Sequence, residues 1–242
     1  MPRYRDVQVS FGPPLTWMVR YLIIITSAIF LLTYLPAQIF GFVLPYQVFG
    51  LRPYFVTHRL YLWQPVTYLF LHAGFFHIIF NLFALWMFGA DLERTWGSRR
   101  FLTYFFLTGV GAGVFDVLLQ PAAITTTIGN SGAVYGVLLA YGLLFPNRPI
   151  YLWMLIPVKA KWFVLVMGLI EFVSSFQTPG SSVSHVAHLG GMLVGFLYLR
   201  GAGLPFHLQL RYHDWRRARL RRKFETFMRN HERRDDRGRW IN

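Results

Sequence analysis

Apolar residues along this chain do not alternate with polar ones but gather into long runs, separated by shorter segments rich in arginine and proline. Runs of that length predict helices immersed in lipid rather than the half-buried strands or helices of a soluble core. Six can be drawn: about Trp17 to Leu35, Phe76 to Ala90, Phe101 to Leu119, Ser131 to Phe145, Trp162 to Phe176 and Ser184 to Leu199. The predicted fold class is all-α, a polytopic membrane protein built as a six-transmembrane-helix bundle. Its core spans residues 17–199, between an N-terminal segment at 1–16 and a tail at 200–242. No small-x-small site follows the first apolar run before Pro36, so a cleaved signal peptide is not expected. The connection from about Pro36 to Phe75 is too apolar for an ordinary loop and is expected to be partly embedded. Tyr46, Tyr54, Tyr61 and Trp63 would suit the headgroup boundary there.

Composition agrees with the pattern, since 55% of the 242 residues are hydrophobic and 14% charged. The absence of cysteine excludes disulfides, thiol catalysis and cysteine-ligated metal. A net charge of +14 would suit nucleic acid binding, but in a membrane protein lysine and arginine collect on the cytoplasmic side. With the N-terminus inside, the inner segments hold 22 of the 24 basic residues and leave Arg52 and Arg59 outside. Both termini are therefore expected to be cytoplasmic. The basic tail, which carries 13 of these charges, reads as a surface helix drawn to anionic lipid, with no nucleic acid partner.

Against this apolar background a few polar residues stand out. Ser131 lies 15 residues from Pro146, His77 lies 14 from Asp91 and His188 lies 12 from Arg200, each of those partners marking an inner boundary. At about 1.5 Å per residue they sit roughly 22, 21 and 18 Å from the inner face of a core about 30 Å thick. Three helices running from outside to inside would thus present a serine and two histidines in one layer, which water must reach through a cavity. His77 and Asn81 project from one helical face and could aim an imidazole and an amide at one oxyanion; interhelical hydrogen bonding is the alternative. Ser131 opens its span between Gly129 and Gly132, so its own N–H is an unpaired helix-start donor. Gly132, Gly136 and Ala140 form a small-residue stripe that Gly191 and Gly195 match on the sixth span, permitting close approach of Ser131 and His188. A capping serine and a structural histidine are the competing reading. Tyr135, one turn below Ser131, is placed to pack on the His188 ring, with ordinary core packing the equal alternative for an aromatic at that spacing.

Asp116 and Glu171 are the acids inside the spans, where a pair with a nearby hydroxyl or backbone group is the expected role and an ion path the other. His72, His77, His185 and His188 could in principle gather a metal or haem. No carboxylate neighbours them in sequence and no His-Glu-x-x-His motif exists, so neither metal nor cofactor is expected.

Taken together, His72-Ala73-Gly74-Phe75-Phe76-His77 with Asn81, then Gly129-Asn130-Ser131-Gly132-Ala133, then Ala187-His188 with Gly191 and Gly195, resemble the three signatures of the rhomboid intramembrane serine proteases. Glu93-Arg94-Thr95-Trp96-Gly97-Ser98 is similar to the segment after that family's second span. The resemblance implies that Ser131 is the nucleophile and His188 the base, in a dyad without a carboxylate. It further implies an oxyanion hole from His77, Asn81 and the Ser131 N–H, and a fifth span and following loop that shift to admit a substrate helix. Trp63-Gln64 departs from the Trp-Arg pair of many rhomboids.

The function expected is that of a serine endopeptidase cleaving within or next to a transmembrane segment of another membrane protein, in a bacterial inner membrane. A noncatalytic adaptor for transmembrane helices would keep the fold but not need the serine. A histidine-ligated metal or haem protein would need the histidines alone.

Overall fold

A computed structural model describes residues 13–152, 155–177, 184–201 and several positions between 219 and 228. The N-terminal residues 1–12, the loop 178–183 that the resemblance makes movable, and most of the basic tail lie outside the described residues. The chain divides into two compact units, Met1–Tyr198 and Leu199–Asn242. In the second, Arg221 Nε lies 3.1 Å from Glu225 Oε1 across one helical turn.

The first unit is mostly helical. Helix α1 runs Trp17–Phe40, longer than predicted because Pro36 falls in its last turns and Gly41, in the left-handed region, ends it. The outer connection folds into short helices α2 (Leu44–Phe49), α3 (Pro53–Arg59) and α4 (Gln64–Thr67), with a 3₁₀ turn at Tyr68–Phe70. The second span continues from α5 (Phe75–Ala84) through a π-helical turn (Leu85–Gly89) into α6 (Ala90–Trp96). Then come α7 (Ser98–Leu119), α8 (Ser131–Leu144), a hairpin of β1 (Pro149–Leu152) and β2 (Ile156–Lys159), α9 (Ala160–Gln177) and α10 (His185–Gly201). The two strands pair antiparallel with Ile150 opposite Val158. No element is predicted from the sequence between Phe145 and Trp162, where the hairpin lies.

Trp17–Phe40, Phe75–Trp96 and Ser98–Leu119 are long and apolar enough to cross a membrane, and Ser131–Leu144 is a shorter apolar helix. Large apolar side chains such as Leu32, Phe76, Phe80 and Leu118 point outward and are more than two-thirds exposed. Water would penalise that surface, whereas lipid accommodates it.

Polar groups inside the unit fix the helices to one another. Glu93 is buried and accepts from the backbone N–H groups of Met18 and Val19 at 3.0–3.1 Å, from Ser98 Oγ at 2.6 Å and from Thr16 Oγ1. A carboxylate at the start of α1 satisfies donors that have no acceptor within the helix and meets the positive end of its dipole. The outer connection is packed more deeply than an interfacial segment would be: Leu51, Tyr68 and Leu69 are buried with Val117 of α7. Gln64, fully buried, accepts from the Arg52 N–H at 2.9 Å and donates to the Val48 carbonyl at 3.2 Å, which closes the connection on itself. Trp63 donates to the same carbonyl at 2.9 Å. The Trp63-Gln64 pair is therefore an internal brace.

Candidate active site

Ser131 is the first residue of α8, so its backbone N–H has no acceptor within the helix. The strand-like segment before it is pinned from the outer connection. Leu51 and Thr127 exchange backbone hydrogen bonds at 2.8 and 2.9 Å, and the Gly129 N–H donates to the Tyr68 carbonyl at 2.9 Å. Gly129 has φ +111°, and a Cβ there would come within 2.8 Å of His77 Nε2. Glycine is required twice over, for the backbone and for the imidazole packed against it.

On the other side Ser184 caps α10: its hydroxyl accepts from the Ala187 N–H at 3.0 Å while its carbonyl accepts from the His188 N–H at 3.2 Å. Asp116 of α7 ties both flanks together, accepting from Thr127 Oγ1 at 3.0 Å, Ser184 Oγ at 2.8 Å and Gln120 Nε2 at 3.1 Å. Hydroxyl partners are what the sequence suggested for this acid.

α8 and α10 meet at Gly132 and Gly191, where a Cβ on Gly191 would overlap the Gly132 carbonyl. The two small-residue stripes do not face each other along their whole length, however. Gly136 packs on Thr108 of α7, and Gly195 on the Tyr104 hydroxyl. Only the upper pair brings α8 against α10, and it places His188 Nε2 2.7 Å from Ser131 Oγ. The Tyr135 ring stacks on His188 with centroids 4.4 Å apart and an 18° interplanar angle.

A carboxylate that has no neighbouring histidine in the sequence completes the cluster. Glu171 of α9 is buried, and its Oε2 lies 2.9 Å from His188 Nδ1 and 2.7 Å from His185 Nδ1, while Oε1 accepts from the Tyr135 hydroxyl. No local signal announces this contact, because Glu171 stands on a different helix, 17 residues before His188. The ligand atoms of Glu171, His185 and His188 lie within 4.8 Å of one another. The two oxygen to nitrogen separations are hydrogen-bond lengths, shorter than the roughly 3.3 Å edge of a tetrahedral site with bonds near 2.0–2.1 Å. Shared protons suit them better than a metal.

A cavity of about 150 Å³ opens beside Ser131 and His188 and is lined also by His77, Thr127, Ser184 and Tyr68. His77 meets it; Asn81 is not among its lining residues. The Asn81 amide instead donates to the His77 carbonyl at 2.9 Å, one turn back on its own helix. His72 stacks edgewise on His77 at 5.0 Å and His185 on His188 at 6.2 Å, so the four histidines form two pairs rather than one ligand set. A base within hydrogen-bond reach of a hydroxyl, an adjacent helix-start N–H and a second imidazole across a small cavity constitute the parts needed for acyl transfer.

The family model for the rhomboid domain matches residues 59–203, and the chain belongs to the rhomboid family. It is an integral membrane protein. Among similar proteins, rhomboid protein 1 (mitochondrial) of Saccharomyces cerevisiae is 27% identical over 155 residues, covering 61% of this chain and 45% of the yeast protein. Rhomboid protease GluP of Bacillus subtilis is 31% identical over 145 residues, or 59% of this chain and 26% of that protein. Rhomboid-like protein 11 (chloroplastic) of Arabidopsis thaliana is 33% identical over 172 residues, 62% of this chain and 56% of that protein. The chain thus aligns with between about a quarter and just over half of the length of these relatives. Their names span bacterial, mitochondrial and chloroplast proteins, so the family fixes a membrane and not an organelle.

Proposed function

We propose that this protein is an intramembrane serine endopeptidase that hydrolyses a peptide bond within or next to a transmembrane segment of another membrane protein. The observation that carries the reading is the 2.7 Å contact of His188 Nε2 with Ser131 Oγ beside a small cavity. Ser131 Oγ attacks the scissile carbonyl as its proton passes to His188 Nε2, and the imidazolium then protonates the leaving amine. Water, activated by the same imidazole, hydrolyses the acyl-enzyme. The developing oxyanion is held by the Ser131 N–H and His77, with Asn81 joining once its amide swings from the His77 carbonyl. A noncatalytic adaptor for transmembrane helices would have no use for the serine to histidine contact.

The apolar runs support six spans, helical rise supports a site nearer the outer face, and the charge distribution supports cytoplasmic termini with the basic tail on anionic lipid. The chemistry asks for no cofactor. The test is cleavage of a model transmembrane substrate by the purified protein in detergent: wild type should cut it and Ser131→Ala should not. Equal cleavage by the pure variant overturns the assignment.

A further inference from the structure

Resting on the protease reading, we infer that Glu171 is a positioning residue that extends the Ser131–His188 pair into a three-member hydrogen-bonded chain. The geometry is specific. Glu171 Oε2 is 2.9 Å from His188 Nδ1, the nitrogen opposite the one that faces Ser131 Oγ at 2.7 Å. As an ionised carboxylate, Glu171 can only accept, so the proton of neutral His188 sits on Nδ1 and leaves the Nε2 lone pair free for the serine hydroxyl. The opposite tautomer would present an N–H to Ser131 and could not act as its base.

The carboxylate is itself held from three sides. Tyr135 donates to Oε1 and His185 Nδ1 lies 2.7 Å from Oε2, so neither oxygen is free to turn away. Tyr135 also stacks on the His188 ring, coupling the plane of the imidazole to the orientation of the acid beneath it. Three helices contribute, with Tyr135 on α8, Glu171 on α9 and the two histidines on α10. A buried carboxylate is costly unless it is paired and hydrogen-bonded, and two imidazoles and a phenol meet that need here. When Ser131 Oγ bonds to the scissile carbon and its proton moves to Nε2, the carbonyl electron pair moves onto oxygen and His188 becomes a cation. Its Nδ1–H already points at Glu171, which stabilises that cation without taking its proton. The Nε2 proton then passes to the amide nitrogen as the oxyanion's electron pair re-forms the carbonyl and the carbon to nitrogen bond breaks, leaving Ser131 acylated and Glu171 ionised before and after the step.

The test compares wild type, Glu171→Gln and Glu171→Asp as full-length purified proteins. Gln keeps the shape and loses the charge, whereas Asp keeps the charge on a shorter stem. Positioning predicts that Glu171→Gln lowers kcat by roughly a hundredfold or more with KM within about twofold, and that Glu171→Asp recovers at least about tenfold of the loss. Equal activity of Gln and wild type overturns the inference, as does an equal loss in Gln and Asp. A second measurement needs no variant at Glu171. In ¹⁵N-histidine-labelled wild type, His188, assigned by difference from His188→Gln, should carry its proton on Nδ1; a proton on Nε2 overturns the inference. Failure of the protease reading is seen separately, as a wild type that cleaves nothing although the His188 tautomer is as expected.

Discussion

Asn81 illustrates how much one side chain can conceal. Its spacing from His77 predicts two donors on one helical face, and the structure buries it, yet its amide donates to the His77 carbonyl rather than toward the cavity. An oxyanion donor held this way must exchange partners as negative charge develops, and so acts in the transition state more than in the ground state. Asn81→Ala should therefore lower turnover by roughly ten- to a thousandfold, while labelling of Ser131 by a fluorophosphonate falls less. Turnover per folded molecule that stays at the wild-type value, with only thermal stability reduced, would instead assign Asn81 to holding its own helix. Other contacts were readable as one of two readings. Spacing and depth allow Ser131 to meet His188 and Tyr135 to pack on its ring, beside a capping serine, a structural histidine and a core aromatic, and the structure makes both contacts. Glu171 was not, because the face that α9 turns toward α10 depends on how the helices rotate in the bundle, which no local pattern encodes.

At the scale of elements, the glycines mark where helices touch, and the structure sorts them by partner. Gly191 lies against the backbone of Gly132, whereas Gly136 and Gly195 make room for Thr108 and Tyr104 of α7. A single stripe pattern in the sequence cannot distinguish these cases, since small residues permit close approach without naming the neighbour. The difference has consequences. A methyl group at 191 meets a carbonyl that cannot rotate aside, so α8 and α10 must separate and with them Ser131 and His188. Gly191→Ala should cost about 1–3 kcal/mol of stability and lower cleavage at least tenfold, as read by thermal unfolding and by turnover per folded molecule. Unchanged values would mean that the close approach of the two helices is not needed. The β1–β2 hairpin was invisible for a different reason: Ile150-Tyr151-Leu152 and Ile156-Pro157-Val158 are apolar runs too short to distinguish from helix ends. The outer connection likewise looked like an interfacial segment, because its aromatic residues hide a buried polar brace at Gln64.

For the whole molecule, the long apolar runs and the asymmetric arginines define a helical membrane protein, and every side chain given a part in the proposed chemistry lies between His77 and His188. The tail contributes 13 of the 24 basic residues and none of the proposed chemistry. Truncation after about Gly203 should leave cleavage in detergent within about threefold of the full chain and reduce binding to vesicles containing anionic lipid, the attraction being worth about 1 kcal/mol per basic residue near the surface. An inactive truncation that inserts correctly would show that the tail braces the catalytic unit. The most direct measurement of the central claim is covalent capture of the nucleophile. The purified wild-type protein, treated with a fluorophosphonate and digested, should carry the adduct on the peptide containing Ser131, and His188→Ala should lose it. An adduct on another serine, or full labelling of Ser131 without His188, would contradict the account.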